Sequence, residues 1–331
     1  MKMQVFQSPQ EFPKDIELFL ANNKDKKNIF NSDRWMNIVR NNPYLSRIYI
    51  FTEMDVVQFV FYVGINQIKN KKFAFINNRK FGGVLFLNHD AISTAKAFDM
   101  LCSDLKKQNV NSLSITSNSY DGNYHLIGSI VNKLDTQKFN CDLILDLSDG
   151  LDVVISRMSK KRKSNIKASL KKDYFVETLN SSSLEDIKIM YDKFVAKKSG
   201  MKVNKKYLNA LLSSDITKTL SISNKVGVIL GFVVFIFDED NKEAFYFMSA
   251  VNRNEKSEYV IERIIYKFIN DYSGSIKKLN FMESTPSYES GVYNFKSQWG
   301  AESFPNITVE KYFGTLWLKN FLISLYVKFI K

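Results

Sequence analysis

The stretch Leu145–Lys172, LDLSDGLDVVISRMSKKRKSNIKASLKK, decides how the chain is read. An apolar strand expected over 142–147 stops at Ser148-Asp149-Gly150, three residues that favour turns, and a basic helix expected over 152–172 starts beyond them. Either side of this boundary, hydrophobic periodicity predicts the same order of elements. Before it come a short helix over Arg34–Arg40 and strands at 47–52, 56–65 and 72–76 with a turn at Glu53–Asp55. A long helix at 91–108, a strand at 112–116, a short helix at 124–134 and the strand at 142–147 complete that half. After it come the basic helix, helices near 184–198 and 204–213, and strands at 218–222, 226–237 and 243–250. A helix at 256–272, a strand at 278–282, a short helix at 288–297 and a strand at 306–312 follow. The shared order, without a residue-level repeat, predicts an α/β (α+β) chain built of two copies of one unit, over 1–147 and 148–313. Two units joined so closely are expected to dock and leave a cleft for substrate.

Composition narrows the class. The chain has 331 residues, 45% of them hydrophobic and 24% charged, which excludes a disordered chain. Two cysteines exclude a disulfide scaffold. Lys and Arg total 47 against 34 Asp and Glu, a net charge of +13, so an anionic partner is expected: nucleic acid, a phospholipid surface or a phosphorylated substrate. The N-terminus has no secretory signal pattern, and the longest apolar run, Val226–Phe237, is too short to span a bilayer and reads as a buried strand. A cytoplasmic protein is expected, in contact at most with the inner face of the membrane.

Within the basic helix, Lys160, Lys163, Lys167 and Lys171 share one face and Ile155, Met158, Ile166 and Leu170 the opposite one. The lysines fit either a phosphate-binding stripe or a solvated face. Arg162 falls within the apolar face, where an unpaired guanidinium is costly, so it must snorkel or reach a carboxylate or phosphate.

A second motif is Glu283–Ala301, ESTPSYESGVYNFKSQWGA, in which an aromatic-flanked lysine, Phe295-Lys296, precedes Trp299-Gly300. An ammonium held among rings can stabilise a carbonyl oxygen that gains charge during acyl transfer. By spacing alone the segment also fits a surface helix with its lysine in water.

His89 and His125 have no metal-ligand spacing, and there is no G-x-S-x-G elbow, P-loop or G-x-G-x-x-G. No metal and no bound cofactor are expected. From Tyr312 onward, YFGTLWLKNFLISLYVKFIK makes a basic amphipathic helix, taken as 314–331, that fits either the membrane interface or the surface of its own domain.

The residues together resemble the FemAB-like proteins, a group of the GNAT N-acyltransferase superfamily that includes the peptidoglycan bridge aminoacyltransferases. The strand ending in Asp146-Leu147, the helix after it and Lys163, Ile166, Lys167 and Ala168 are similar to the opening of that group's second domain. Gly291-Val292-Tyr293-Asn294-Phe295-Lys296 with Trp299-Gly300-Ala301 is similar to its glycine, Tyr-x-Phe-Lys and Phe-Gly-Ala signature. Phe81-Gly82-Gly83 and Ser32–Trp35 are weaker first-domain matches.

The resemblance covers roughly 30–315. It implies tandem GNAT-like domains, each a mixed sheet flanked by helices, and transfer of an acyl or aminoacyl group to a primary amine. Members that build peptidoglycan bridges take the amino acid from aminoacyl-tRNA and deliver it to a lipid- or nucleotide-linked stem peptide. By motif position Lys296 inherits the oxyanion-stabilising role and Phe295 its positioning. Two features depart from the group: no long helical arm is present, and Asn252–Tyr259, NRNEKSEY, lacks the glycines of a CoA pyrophosphate loop.

The expected activity is therefore N-acyl transfer to a cell-envelope precursor, either a peptidoglycan stem peptide or an amino sugar of a surface polysaccharide. The donor is aminoacyl-tRNA or acyl-CoA. Glu283 is the candidate base, and Lys160, Arg162, Lys163, Lys167, Arg40, Tyr293 and Trp299 are candidate substrate contacts. Two alternatives stay open: an acetyl-CoA-dependent acetyltransferase of a sugar nucleotide, and a non-catalytic nucleic-acid or membrane-associated module.

Overall fold

The computed structural model describes residues 1–7, 11–22, 29–39, 41, 45–68, 70–76, 84–86, 90–118, 124–179, 184–196, 204–252 and 258–314. Arg40, Phe81-Gly82-Gly83 and the C-terminal helix expected over 314–331 lie outside these residues, except for Gly314. The described chain forms two compact units, one of Met1–Phe139 with the chain from Pro305, the other of Asn140–Phe304.

The first unit contains β1 (Lys2–Phe6), α1 (Lys14–Asn22), α2 (Asp33–Val39), β2 (Leu45–Glu53), β3 (Val56–Ile68), β4 (Lys71–Ile76), β5 (Val84–Phe86), α3 (Ala91–Lys107), β6 (Val110–Asn118) and α4 (Tyr124–Ile130). Strands β1 to β4 are antiparallel in sequence order, and β4 pairs with β6 in parallel across the α3 crossover. Asp90 starts α3 by accepting a bond from the Ser93 amide (2.7 Å), and Ala97, Phe98, Leu101 and Leu105 turn its apolar stripe into the core.

The second unit contains β7 (Thr136–Asp146) from Asn140 on, α5 (Leu151–Arg157), α6 (Lys160–Leu170), β8 (Tyr174–Thr178), α7 (Leu184–Ala196), α8 (Lys205–Leu212) and β9 (Thr217–Asn224). It continues with β10 (Ile229–Asp238), β11 (Glu243–Val251), α9 (Val260–Tyr272), β12 (Lys278–Ser284), α10 (Gly291–Ser297) and the first residues of β13 (Glu302–Tyr312). Its sheet runs β7-β12-β11-β10-β9-β8. Helix α9 packs closely on this sheet because Gly231 has no Cβ, which would stand 2.6 Å from Val260 Cγ1.

Each unit thus has four antiparallel strands, β1 to β4 and β8 to β11, a crossover helix and a parallel fifth strand; the last three of the four, with the helix and the parallel strand, are the repeated order seen in the sequence. The last strand of each copy departs from the expected boundary at 147/148. Strand β7 pairs antiparallel with β12, from Lys278↔Asp146 to Ser284↔Cys141, so its residues from Asn140 belong to the second unit. Strand β13 pairs with β6, from Asn306↔Asn118 to Tyr312↔Ser112, so its residues from Pro305 belong to the first. Backbone hydrogen bonds, not chain order, assign these strands.

The helix expected over 152–172 is broken. Met158 is extended, and the Ser159 hydroxyl accepts from the Arg162 amide (3.1 Å), starting α6 as a new helix. Leu170, expected on the apolar face, is the last residue of α6 and is 46% exposed, whereas Ile166 one turn earlier is buried. No helix among the described residues is long and apolar enough to cross a membrane, and no group of three metal-ligating side chains occurs among them.

Candidate functional site

Strands β11 and β12 pair in parallel only from Glu243↔Lys278 to Phe245↔Asn280. Beyond that point β11 continues to Val251 and β12 to Ser284 without laddering to each other, so the two strands diverge. Tyr246 and Phe281, with ring centroids 5.8 Å apart, stand where the divergence begins.

The end of β12 is shaped by Asn280. This fully buried amide donates to Glu243 Oε1 (3.2 Å), and its oxygen accepts from the Met282 amide (2.8 Å). Met282 is held at φ +65°, a left-handed conformation that costs a non-glycine residue about 1 kcal/mol. The β7–β12 register shifts between Asn280 and Glu283. This bulge leaves the carbonyls of Met282 and Glu283 to bond outside the ladder.

Helix α10 meets them. Ser290 starts it by accepting from the Tyr293 amide (3.4 Å), and Lys296 falls in its last turn. The Lys296 ammonium donates to Met282 O (3.1 Å) and Glu283 O (2.8 Å), and the residue is only 6% exposed. It does not point into bulk water.

Around this ammonium lie the other polar groups of the site. The exposed Glu283 carboxylate accepts from the Asn140 amide. The Cys141 thiol donates to Ser284 O (3.5 Å), and burial pushes its pKa up. Tyr293 meets Tyr288 edge to face (5.1 Å); burial first, then the second phenol, raises its pKa. The Ser284 hydroxyl, on a residue 6% exposed, has no partner among the described residues.

Behind α10 stands Arg162, 1% exposed. Its Nη1 lies 2.7 Å from Glu262 Oε1, and its Nη2 donates to Phe295 O (3.0 Å) and Gln298 Oε1 (3.4 Å). The guanidinium lies 4.5 Å from the Phe295 ring centroid and 4.8 Å from that of Trp299. Burial lowers its pKa from the usual arginine range while Glu262 opposes the shift. Of the outcomes open to it in the sequence, Arg162 has reached a carboxylate. Phe295 and Trp299 are its walls, and through Phe295 O it fixes the turn that carries Lys296.

The lysines divide. Lys163 donates to Ser156 O (3.0 Å), closing the last turn of α5, whereas Lys160 and Lys167 are exposed on α6. The structure thus gathers Lys296, Phe295, Tyr293, Trp299, Arg162 and Glu283 about α10. Glu262, Asn280, Asn140 and Gln298 were not visible from sequence. For Glu262 the signal was indirect: an arginine on an apolar face requires a carboxylate, and spacing does not say which.

No protein-family model and no curated protein matches the sequence. Solved structures do. FemX is similar at 10% identity over 95% of this chain and 98% of its own, with a TM-score of 0.65. A tandem GNAT protein from the clavulanic acid biosynthesis pathway is similar at 9% identity over 93% and 98%, with a TM-score of 0.61. L-PGS from Bacillus licheniformis is similar at 11% identity over 95% and 96%, with a TM-score of 0.57. At such identities the likeness is one of fold, and the fold of this chain is the tandem GNAT-like fold that FemX also has.

Proposed function

We propose that the protein transfers an acyl or aminoacyl group to a primary amine of a nucleotide- or lipid-linked cell-envelope precursor. The observation that carries this reading is the buried Lys296 ammonium, fixed by two main-chain carbonyls at the end of β12 where β11 and β12 diverge. An acyl donor lying along that divergence would bring its carbonyl to a positive charge already in place, which needs no reorganisation as the oxyanion forms.

In the reaction the amine nitrogen bonds to the acyl carbon. The carbon–oxygen bond of an aminoacyl-tRNA ester, or the carbon–sulfur bond of an acyl-CoA thioester, then breaks, and the leaving group departs with the electron pair. The amine must arrive neutral, and the proton it releases passes to the exposed Glu283 carboxylate. Exposed Lys160 and Lys167 offer charge to phosphates of the substrate, a role that Arg162, enclosed by protein, does not share. FemX, the tandem GNAT protein and L-PGS support the reading through their fold.

Two incubations test it. In one, the protein receives aminoacyl-tRNA and a uridine-linked muropeptide; in the other, acetyl-CoA and an amino-sugar nucleotide, with free thiol followed. A new amide on the acceptor in either supports the reading and identifies the donor. No amide in either overturns it for these substrates.

A further inference from the structure

We infer that the second unit carries a docking surface for an anionic lipid membrane, formed by the β9–β10 turn, the start of β8 and the exposed lysines of α6. This surface shares Lys160 and Lys167 with the phosphate contacts proposed above, but its test reads vesicle binding alone and its variants leave both of these lysines in place.

The turn is built to present apolar side chains. Asn224 Oδ1 accepts from the amides of Val226 (3.1 Å) and Val228 (3.0 Å), and Gly227 takes φ +82°. So held, Val226 is 73% exposed and Val228 38%. The register places the start of β8, the edge strand, beside this turn: Tyr174 opposes Asn224 and Phe175 opposes Ser223. Phe175 is 53% exposed, and Leu170, at the end of α6 and four residues before β8, is 46% exposed. Four large apolar side chains are thus left uncovered around one corner of the unit.

Cations accompany them. Lys225 lies in the turn, Lys171 caps the end of α6, and Lys167 and Lys160 continue along the same helix face for about 16 Å. None of these four meets a carboxylate among the described residues. The acidic groups nearby are Asp173, Glu177 and Glu258, the last paired with Lys172 at 2.9 Å.

Aliphatic tips ringed by lysines suit the headgroup–acyl boundary of an anionic bilayer, where the side chains insert and the ammoniums meet phosphates. A nucleic acid would use the lysines but gives an inserted valine nothing to bury in. The location agrees. Strand β10 starts at this turn and β11 ends opposite it, with Gly231 facing Val251, and β12 runs parallel to β11. The turn therefore lies at the same end of the sheet as the end of β12, where Lys296 is held. A protein docked here holds that end of the unit toward the lipid.

The full chain is sedimented with vesicles of phosphatidylglycerol and phosphatidylcholine, and with phosphatidylcholine alone. The protein is expected to bind the anionic vesicles and to weaken as salt rises. Val226→Asp and Phe175→Asp should each reduce binding about tenfold, with uncharged Val226→Ser separating lost insertion from repulsion. Lys171→Glu with Lys225→Glu should reduce it by at least ~25-fold, at about fivefold per lysine. All these side chains are exposed, so thermal unfolding should not move.

Three results overturn the inference. The wild type does not sediment with anionic vesicles. The apolar variants bind as the wild type does, which puts any contact elsewhere in the chain. Or only the lysine variant loses binding and transfer RNA displaces the vesicles, which makes the surface a polyanion site.

Discussion

Arg162 Nη1 lies 2.7 Å from Glu262 Oε1, and this ion pair joins α6 to α9 behind the helix that carries Lys296. The guanidinium is enclosed by Phe295 and Trp299, so its charge has no recourse to water. Removing one partner of such a pair strands the other in a poor solvent, at a cost of about 3–5 kcal/mol. Glu262→Gln is expected to destabilise the protein on this scale in urea unfolding. Replacing both residues with apolar ones, Arg162→Met with Glu262→Leu, should recover much of the loss. Equal stability of Glu262→Gln and the wild type would show that the pair does not hold the site.

Gly300 gives a second test of the same corner. It takes φ +84°, and a Cβ there would stand 2.8 Å from Arg157 Cβ and 3.0 Å from Arg157 O. Both the conformation and the contact oppose a side chain. Gly300→Ala should cost about 1–3 kcal/mol in the same unfolding measurement, and an unchanged midpoint would refute the close approach.

Burial also sets an alkaline limit. It pushes the Cys102 thiol up to about 12 from an ordinary value near 9, and the Tyr246 hydroxyl up to about 12 from near 10. The unfolded chain sheds these protons first and so binds fewer of them than the folded chain. Stability is therefore complete below pH ~9 and falls as pH rises toward 12, by ~1.4 kcal/mol per pH unit for each group. Urea unfolding followed from pH ~8 upward should show this slope, and Cys102→Ala should make the part that begins near pH 9 shallower, the buried Cys141 thiol supplying the rest. A flat profile in the wild type would contradict the burial of both groups.

The repeated order of elements was legible in the sequence because periodicity is a local pattern; Lys296 was singled out by the resemblance of Phe295-Lys296 and Trp299-Gly300 to the FemAB-like signature, since spacing alone also fits a lysine in water. What escaped was non-local. Glu262 is 100 residues from Arg162, and no period links them. The pairing of β7 with β12 and of β13 with β6 depends on strand edges that only the folded units supply. The apolar run Val226–Phe237 concealed a turn, because Asn224 and Gly227 bend the chain before β10 begins at Ile229. The basic helix was expected to be continuous, yet one hydroxyl, that of Ser159, was enough to restart it.

The central claim is that the Lys296 charge, held by Met282 O and Glu283 O, acts on the acyl carbonyl. Its most direct test is the turnover number of Lys296→Ala, measured with whichever donor and acceptor the wild type converts, in protein shown to be folded. The account predicts a fall of about 10²–10³-fold in kcat, with much less change in substrate binding. An unchanged kcat would contradict it.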